Sequence, residues 1–517
     1  MLAQINQLAP GDTAPAMTQL EALARGDSGP NADLALVSAR LQQGDGKGAL
    51  RAIDALAAKL PGDAYPLVMR GRLLLTQGDL AAAAASFEQA LQKQPNHLPA
   101  LDGLASIDLS AGKPEQARQR YRALLKAEPR QYRALLALAA LEGRVGAPSP
   151  VVVAPLREAI KIDPTQAASH LALIERLLAD GDAPAALGAA RDGVAALPHD
   201  LVLMDALGRA QIANGDTQQA QGTFKKLVGL QPKRALPLLR LADAHLAAKD
   251  NAAAGVALRQ AADLEPGNLQ AQRGLALLAV MNGQAPQALA VASALQKRLP
   301  RDAAGFALEG ELQGQLKDWG AAATAYATAL QRSAASDLAI QLHRSLVEAG
   351  KTGQAERMAS DWQRGHPQDA AFVVHLGDSA SAARDWARAE AHYRAVLALQ
   401  PRHVVAMNNF AWILAAQRKP GALAMAEQAN ALMPERATLL DTLALAQEAE
   451  NNLPRAIATQ RRAVALAPKD AMLRLRLAHL LIQQGDKSEA RKELDALAQL
   501  GTQFGGQAEV AALRKKL

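Results

Sequence analysis

Proline returns at a fixed interval along most of this chain: Pro61, Pro95, Pro129, Pro164, Pro198, Pro232, Pro266 and Pro300, then Pro367, Pro401, Pro434 and Pro468. The step is 34 residues, with slips to 35 at Pro164 and to 33 at Pro434. The missing member falls at Ala334, where the helical pattern continues without its proline. A second mark keeps the same beat: Gly44, Gly78, Gly112, Gly146, Gly181, Gly215, Lys249, Gly283, Lys317, Gly350, Arg384, Arg418, Asn451 and Gly485. Two independent punctuation marks in register over this length leave little room for any fold but a repeat array.

One period, residues 64–95, shows the unit. It reads as two apolar-periodic helices joined at Gly78-Asp79 and closed by Pro95. Glycine adopts the left-handed conformation that ends a helix, aspartate caps the next, and proline cannot continue it. Gly71, Ala83 and Ala90 are expected to let helix backbones approach, with Leu74, Leu80 and Phe87 filling the space between them. Neither helix buries its apolar face alone, so a neighbouring copy must do it.

A helix-turn-helix unit of 34 residues is the tetratricopeptide period. Its small site recurs at Ala83, Ala117, Ala186, Ala220, Ala322, Ala355, Ala389, Ala456 and Ala490. Its large site, four residues later, recurs at Phe87, Tyr121, Phe224, Tyr326 and Tyr393. Trp319 and Trp386 take the turn position that Leu80 takes in the index unit. The expected fold is therefore all-α, a right-handed α-solenoid of about fourteen such repeats. Residues 1–29 read as an atypical N-terminal helical pair broken at Pro10-Gly11, residues 30–502 as one continuous array, and residues 503–517 as a capping helix. In the segment 146–160, one extra residue and three prolines imply either a shifted helix start or a local kink.

Composition agrees with thin, closely packed pairs: half of the residues are hydrophobic, but aromatics are only 3%. A net charge of +7 on 517 residues is mild, and no basic stretch interleaves aromatics, so nucleic acid is not an expected partner. The basic tail Arg514-Lys515-Lys516 suits a helix dipole instead. Without cysteine there is no thiolate chemistry and no Cys-ligated metal. No apolar run is long enough to span a membrane. The opening MLAQINQLAPGD lacks a basic region and a long apolar core, so it is not expected to act as a secretory signal, and the chain as written is expected in the cytoplasm.

Candidate chemistry is sparse. Gly350-Lys351-Thr352 resembles the end of a phosphate loop, but Ser345 stands where that loop needs glycine, and the preceding segment is helical in pattern. The loop Gly44-Asp45-Gly46-Lys47-Gly48 fails similarly. Ten histidines form no HxxxH or HExxH pair; His170 and His245 read as semi-buried first-helix residues. The carboxylates Asp12 and Glu21, and Asp180 and Asp182, fall at turns and caps. No enzyme, cofactor or metal is expected.

A repeat array offers a surface, and its first helices line the inner wall. Aligned on the turn residue, the second, fifth, ninth, twelfth and thirteenth positions should face the groove. The ninth reads Arg72, Arg209, Asp243, Glu311, Arg344, Asp378, Trp412 and His479 in eight units. A solvated helix face explains such residues as well. In the C-terminal third, Arg344, His375, Asp378, Asn408, Asn409, Trp412 and Asp441 are expected to cluster as a wall for a protein or peptide partner. Asparagine grips an extended backbone as donor and acceptor together, and a solvent-facing tryptophan implies a contact or, failing that, interhelical packing. The carboxylate clamp that holds chaperone C-termini is not formed, because Thr438 and Thr442 replace the lysine and arginine it needs.

Several stretches are unit-specific rather than consensus: residues 103–129, 141–164, 340–350, 407–434 (MNNFAWILAAQRKPGALAMAEQANALMP) and 439–468. In this order they resemble the PrsT family, the tetratricopeptide lipoproteins of PEP-CTERM/exosortase systems in Gram-negative bacteria. The resemblance runs over almost the whole chain and corresponds to the C-terminal larger part of a longer family protein, whose precursors begin with an export signal and a lipidated cysteine. It implies a periplasmic, outer-membrane-associated scaffold for exopolysaccharide assembly or export and for surface-protein sorting. It supplies no catalytic residues. The other readings are a cytosolic adaptor that binds peptide segments, and the repeat part of a cellulose- or alginate-type secretion apparatus.

Overall fold

The computed structural model describes residues 13–26 and 29–517. Among them, all regular structure is helical, and the chain forms an α-solenoid of paired helices. The break expected at Pro10-Gly11, and Asp12, lie outside the described residues. Backbone contacts divide the chain into two compact units, residues 1–214 and 215–517, with the boundary inside one hairpin turn.

The turn series holds at every beat. All fourteen positions have positive φ, including the five without glycine: Lys249, Lys317, Arg384, Arg418 and Asn451, at 51° to 62°. In the index hairpin, the amides of Gly78 and Asp79 reach back to the carbonyls of Leu75 and Leu74 at 3.1 and 3.0 Å. This closure saturates the last carbonyls of the first helix. The Asp79 carboxylate then accepts from the Ala82 amide at 3.0 Å and caps the second helix. Asp45, Asp182, Asp250, Asp318, Asp385 and Asp486 repeat the cap.

Between units the proline turn separates helices. At Ala334 it still does so: helix Trp319–Arg332 stops, and Ser336–Glu348 begins after three residues. Loss of the proline coincides with a turn one residue shorter than the four between Leu80–Lys93 and Leu98–Ser110. At residues 146–160 the structure chooses the shifted start. Helix Ser149–Ile162 is one continuous segment, capped at Pro148, with Pro150 in its first turn and Pro155 inside it.

In the first unit the index core gathers Val68, Leu74, Phe87, Ala90 and Leu104. All nine small-site alanines are buried, and so are all five large-site rings. Leu80 departs from expectation. It is 44% exposed and lies outside the index core. The first unit also buries charge in pairs: the Arg118 guanidinium holds Glu142 through two nitrogens at 2.8 and 2.9 Å, and Lys59 meets Asp33 at 2.8 Å.

In the second unit the largest apolar cluster spans Val373, Tyr393, Phe410 and Leu440. At its end, helix Gln507–Lys516 buries Val510 and Leu513 against Leu475, Leu494 and Leu497. Its basic last turn complements the helix dipole. Among the described residues no helix is long and apolar enough to cross a membrane.

Candidate functional site: the first-helix wall of the second unit

Three successive first helices, Leu269–Met281, Ala304–Gln315 and Ser336–Glu348, border an open groove of about 620 Å³. Tyr326, from the intervening second helix, forms part of its lining, with Arg273, Glu311, Gln341 and Arg344. Glu311 and Arg344 stand at the ninth positions that the repeat alignment assigns to the wall.

The polar tips of this wall are held from the core. In the hairpin Ala370–Leu399, the Tyr393 hydroxyl donates to Asp378 at 2.5 Å. Burial first, and then this bond and the Asp378 charge, push the Tyr393 phenol up to about 12. Asn409 of the next repeat also donates to Asp378, at 2.9 Å, and Asn408 donates to Asn409 at 3.2 Å. Tyr121 holds Asp102 in the same manner at 2.9 Å in the first unit.

The equivalent pair around the groove is arranged differently. Glu311, the counterpart of Asp378, turns to Arg273 at 2.6 Å and leaves the Tyr326 hydroxyl with no hydrogen-bond partner among the described residues. That phenol is pushed up to about 12, chiefly by burial and then by the Glu311 charge. The Arg344 guanidinium makes no salt bridge among the described residues. Two strong donors therefore face open space on the wall.

His375 is half-buried within the electrostatic reach of Asp378 and Arg344, and burial holds its imidazole below the ordinary histidine value. Arg344, His375, Asp378, Asn409 and Asn408 thus form one run across three repeats. The other two expected members, Trp412 and Asp441, have contacts of their own. Trp412 is not a solvent-facing side chain: it is half-buried against the apolar cluster, with its ring centroid 6.0 Å from Trp386. Asp441 faces the next hairpins, where Gln460 donates to it at 2.8 Å and Arg476 pairs with it at 3.0 Å.

Some residues escaped the sequence reading. Tyr326 was legible only as a core ring, because the freedom of its hydroxyl depends on where Glu311 turns. His343 gave no signal, since its partner His375 is 32 residues away and at a different repeat position. Among the described residues no group of three or more His, Asp or Glu side chains is placed to hold a metal. His170 is buried and satisfied by the Pro164 carbonyl at 2.9 Å, whereas His245 leaves Nδ1 without a hydrogen bond.

Two family models, each described as "Tetratricopeptide repeat", match the chain, one over residues 16–97, 206–268 and 340–401, the other over 74–139 and 449–517. Together they cover more than half of it. The chain belongs to the tetratricopeptide-repeat proteins. Similar solved structures include yeast Tom70, at 14% identity over 95% of this chain and 100% of that one, with a TM-score of 0.41. The Cut9–Hcn1 hetero-tetramer of the APC/C matches at 14% identity over 90% and 92%, with a TM-score of 0.30. A tetratricopeptide repeat protein from Parabacteroides merdae matches at 18% identity over 47% and 95%, with a TM-score of 0.32. No curated protein matches the sequence. As a tetratricopeptide-repeat protein the chain is of the kind that presents helical walls to protein partners.

Proposed function

We propose that this protein is a non-enzymatic interaction scaffold whose second unit holds an extended segment of a partner protein along its first helices. One observation carries the reading: the Arg344 guanidinium and the Tyr326 hydroxyl stand unpaired at an open groove on that wall. Both are donors, so the segment would offer carbonyl or carboxylate oxygens to them. The Asn408–Asn409–Asp378 run continues the polar track into the following repeat. Ordered from beneath by Tyr393, these groups lose little freedom on contact, which favours binding.

The setting we propose is the envelope of a Gram-negative bacterium, in exopolysaccharide assembly or export and exosortase-linked protein sorting, with the protein periplasmic and attached to the outer membrane. This rests on the resemblance to PrsT lipoproteins. Codons upstream of residue 1 test it: an export signal with a lipidated cysteine is expected, and a gene that begins here without one would favour the cytosolic adaptor. For the wall, the purified chain is used to capture partners from envelope extract. Arg344→Ala with Asn409→Ala should remove the partner that the parent recovers while leaving helicity unchanged. Undiminished recovery would exclude this wall as the contact.

A further inference from the structure

In most hairpins a small residue of the first helix faces a large one sixteen places on: Gly71 with Phe87, Ala105 with Tyr121, Gly310 with Tyr326, Gly377 with Tyr393. In the hairpin Ser336–Gly365 the sizes are exchanged, with His343 on the first helix and Ala359 on the second. The same exchange at Ile174 and Ala190 is sealed, since both residues are fully buried. Imidazole is shorter than a phenol ring and carries nitrogen, so around His343 the exchange leaves polar space. A cleft of about 530 Å³ opens there, between helices Thr352–Gly365 and Trp386–Leu399, with Ala355, Ala359 and Leu376 among its walls.

Only 6% of His343 is exposed. Its Nδ1 is hydrogen-bonded to His375 Nε2 at 3.0 Å, with the rings perpendicular at 87°. Its Nε2 has no partner among the described residues, and the ring lines the cleft. His392, half-buried and likewise without a hydrogen bond, lines the same cleft within electrostatic reach of His343. A nearly buried imidazole nitrogen left open to an apolar cleft is a polar group in want of a ligand.

Charge narrows the ligand. Glu356 and Asp385 border the cleft with a single cation, Arg388, paired to both at 3.0 and 3.4 Å, so an added anion meets an excess of carboxylate. An added cation is disfavoured for a different reason: burial first, then the charges of His375 and His392 on His343 and of Arg388 on His392, already hold both imidazoles below their ordinary value, so this is a place that resists positive charge. A neutral hydroxyl suits both imidazoles, donating to the lone pair of one and accepting from the N–H of the other. We propose that this cleft binds a small, uncharged apolar molecule bearing one hydroxyl group, a phenol or a compact alcohol, with its oxygen between His343 and His392. None of the residues that line the cleft belongs to the partner wall, which meets His343 only through His375.

The test is calorimetric titration of the full chain with para-propylphenol, para-propylbenzoate, para-propylbenzylammonium and propylbenzene, read together with the histidine ring signals by NMR. The phenol should bind about tenfold more tightly than the other three, the value of one good neutral hydrogen-bond arrangement, and should move the His343 and His392 signals. His392→Phe should reduce phenol affinity to that of propylbenzene. Ala391→Leu, on the exposed rim of the cleft, should abolish binding without touching either imidazole. Equal binding of propylbenzene, tighter binding of either charged probe, survival of binding in Ala391→Leu, or no saturable binding would each refute the assignment. Should His343→Phe fail to fold, His392→Phe and Ala391→Leu still decide.

Discussion

Gly377 lies so close to the ring of Tyr393 that a methyl group added to it would meet Cε1 at 2.7 Å. The ring is fully buried and its hydroxyl is committed to Asp378, so it cannot swing aside without breaking the wall. Gly377→Ala is expected to destabilise the second unit by about 1–3 kcal/mol, seen as a lower melting temperature. An unchanged midpoint would mean that the ring relocates freely.

Lys317 adopts φ 62° at a turn where most hairpins use glycine. A left-handed residue with a Cβ costs about 1–2 kcal/mol, partly offset by the extra freedom glycine has in the unfolded chain. Lys317→Gly should therefore raise stability by about 0.5–1 kcal/mol, and Gly350→Val, at the next turn, should lower it. Denaturant midpoints measure both, and a fall with Lys317→Gly would contradict the argument.

Acidification should loosen the second unit through its imidazoles. Burial, then the charges of His375 and His392, hold His343 at about 4, below its ordinary 6.5. The folded chain therefore binds this proton more weakly than the unfolded chain. The contribution is complete above pH 6.5 and is lost as the pH falls towards 4, up to about 3 kcal/mol. His375 and His392, also lowered by burial, act in the same direction. His343→Gln should flatten the fall of melting temperature between pH 6.5 and 4; a slope equal to that of the parent would count against this account.

Trp412 and Arg344 share the ninth repeat position but should respond in opposite ways to truncation. Trp412 packs on Trp386 and the apolar cluster, so Trp412→Ala should cost about 1–3 kcal/mol. Arg344→Ala should stay within about 0.5 kcal/mol, because the side chain is exposed and carries no salt bridge among the described residues. Urea melts of both variants compare them directly. Equal losses would place Arg344 in the packing as well.

Legibility followed the kind of constraint each residue obeys. The turn beat, the small-site alanines and the large-site rings were readable because each is imposed by local backbone geometry or by close packing that recurs in every unit. The wall was readable in part, because facing follows from position along a helix. Asp378, Asn408 and Asn409 meet as the spacing implies, since they occupy neighbouring turns of adjacent first helices. Position alone does not say how far the Trp412 ring folds back on Trp386, or which arginine Asp441 meets.

From sequence alone follow the period, the hairpin, the left-handed turn and the family, because these repeat and depend on contacts within one unit or between neighbours in the chain. Tertiary structure alone decided where Glu311 turns, which leaves Tyr326 and Arg344 free, and how His343 and Ala359 exchange sizes to open a cleft beside His392. Those outcomes depend on side-chain rotamers and on contacts between repeats, each set by several neighbours at once, and no one-dimensional pattern records them.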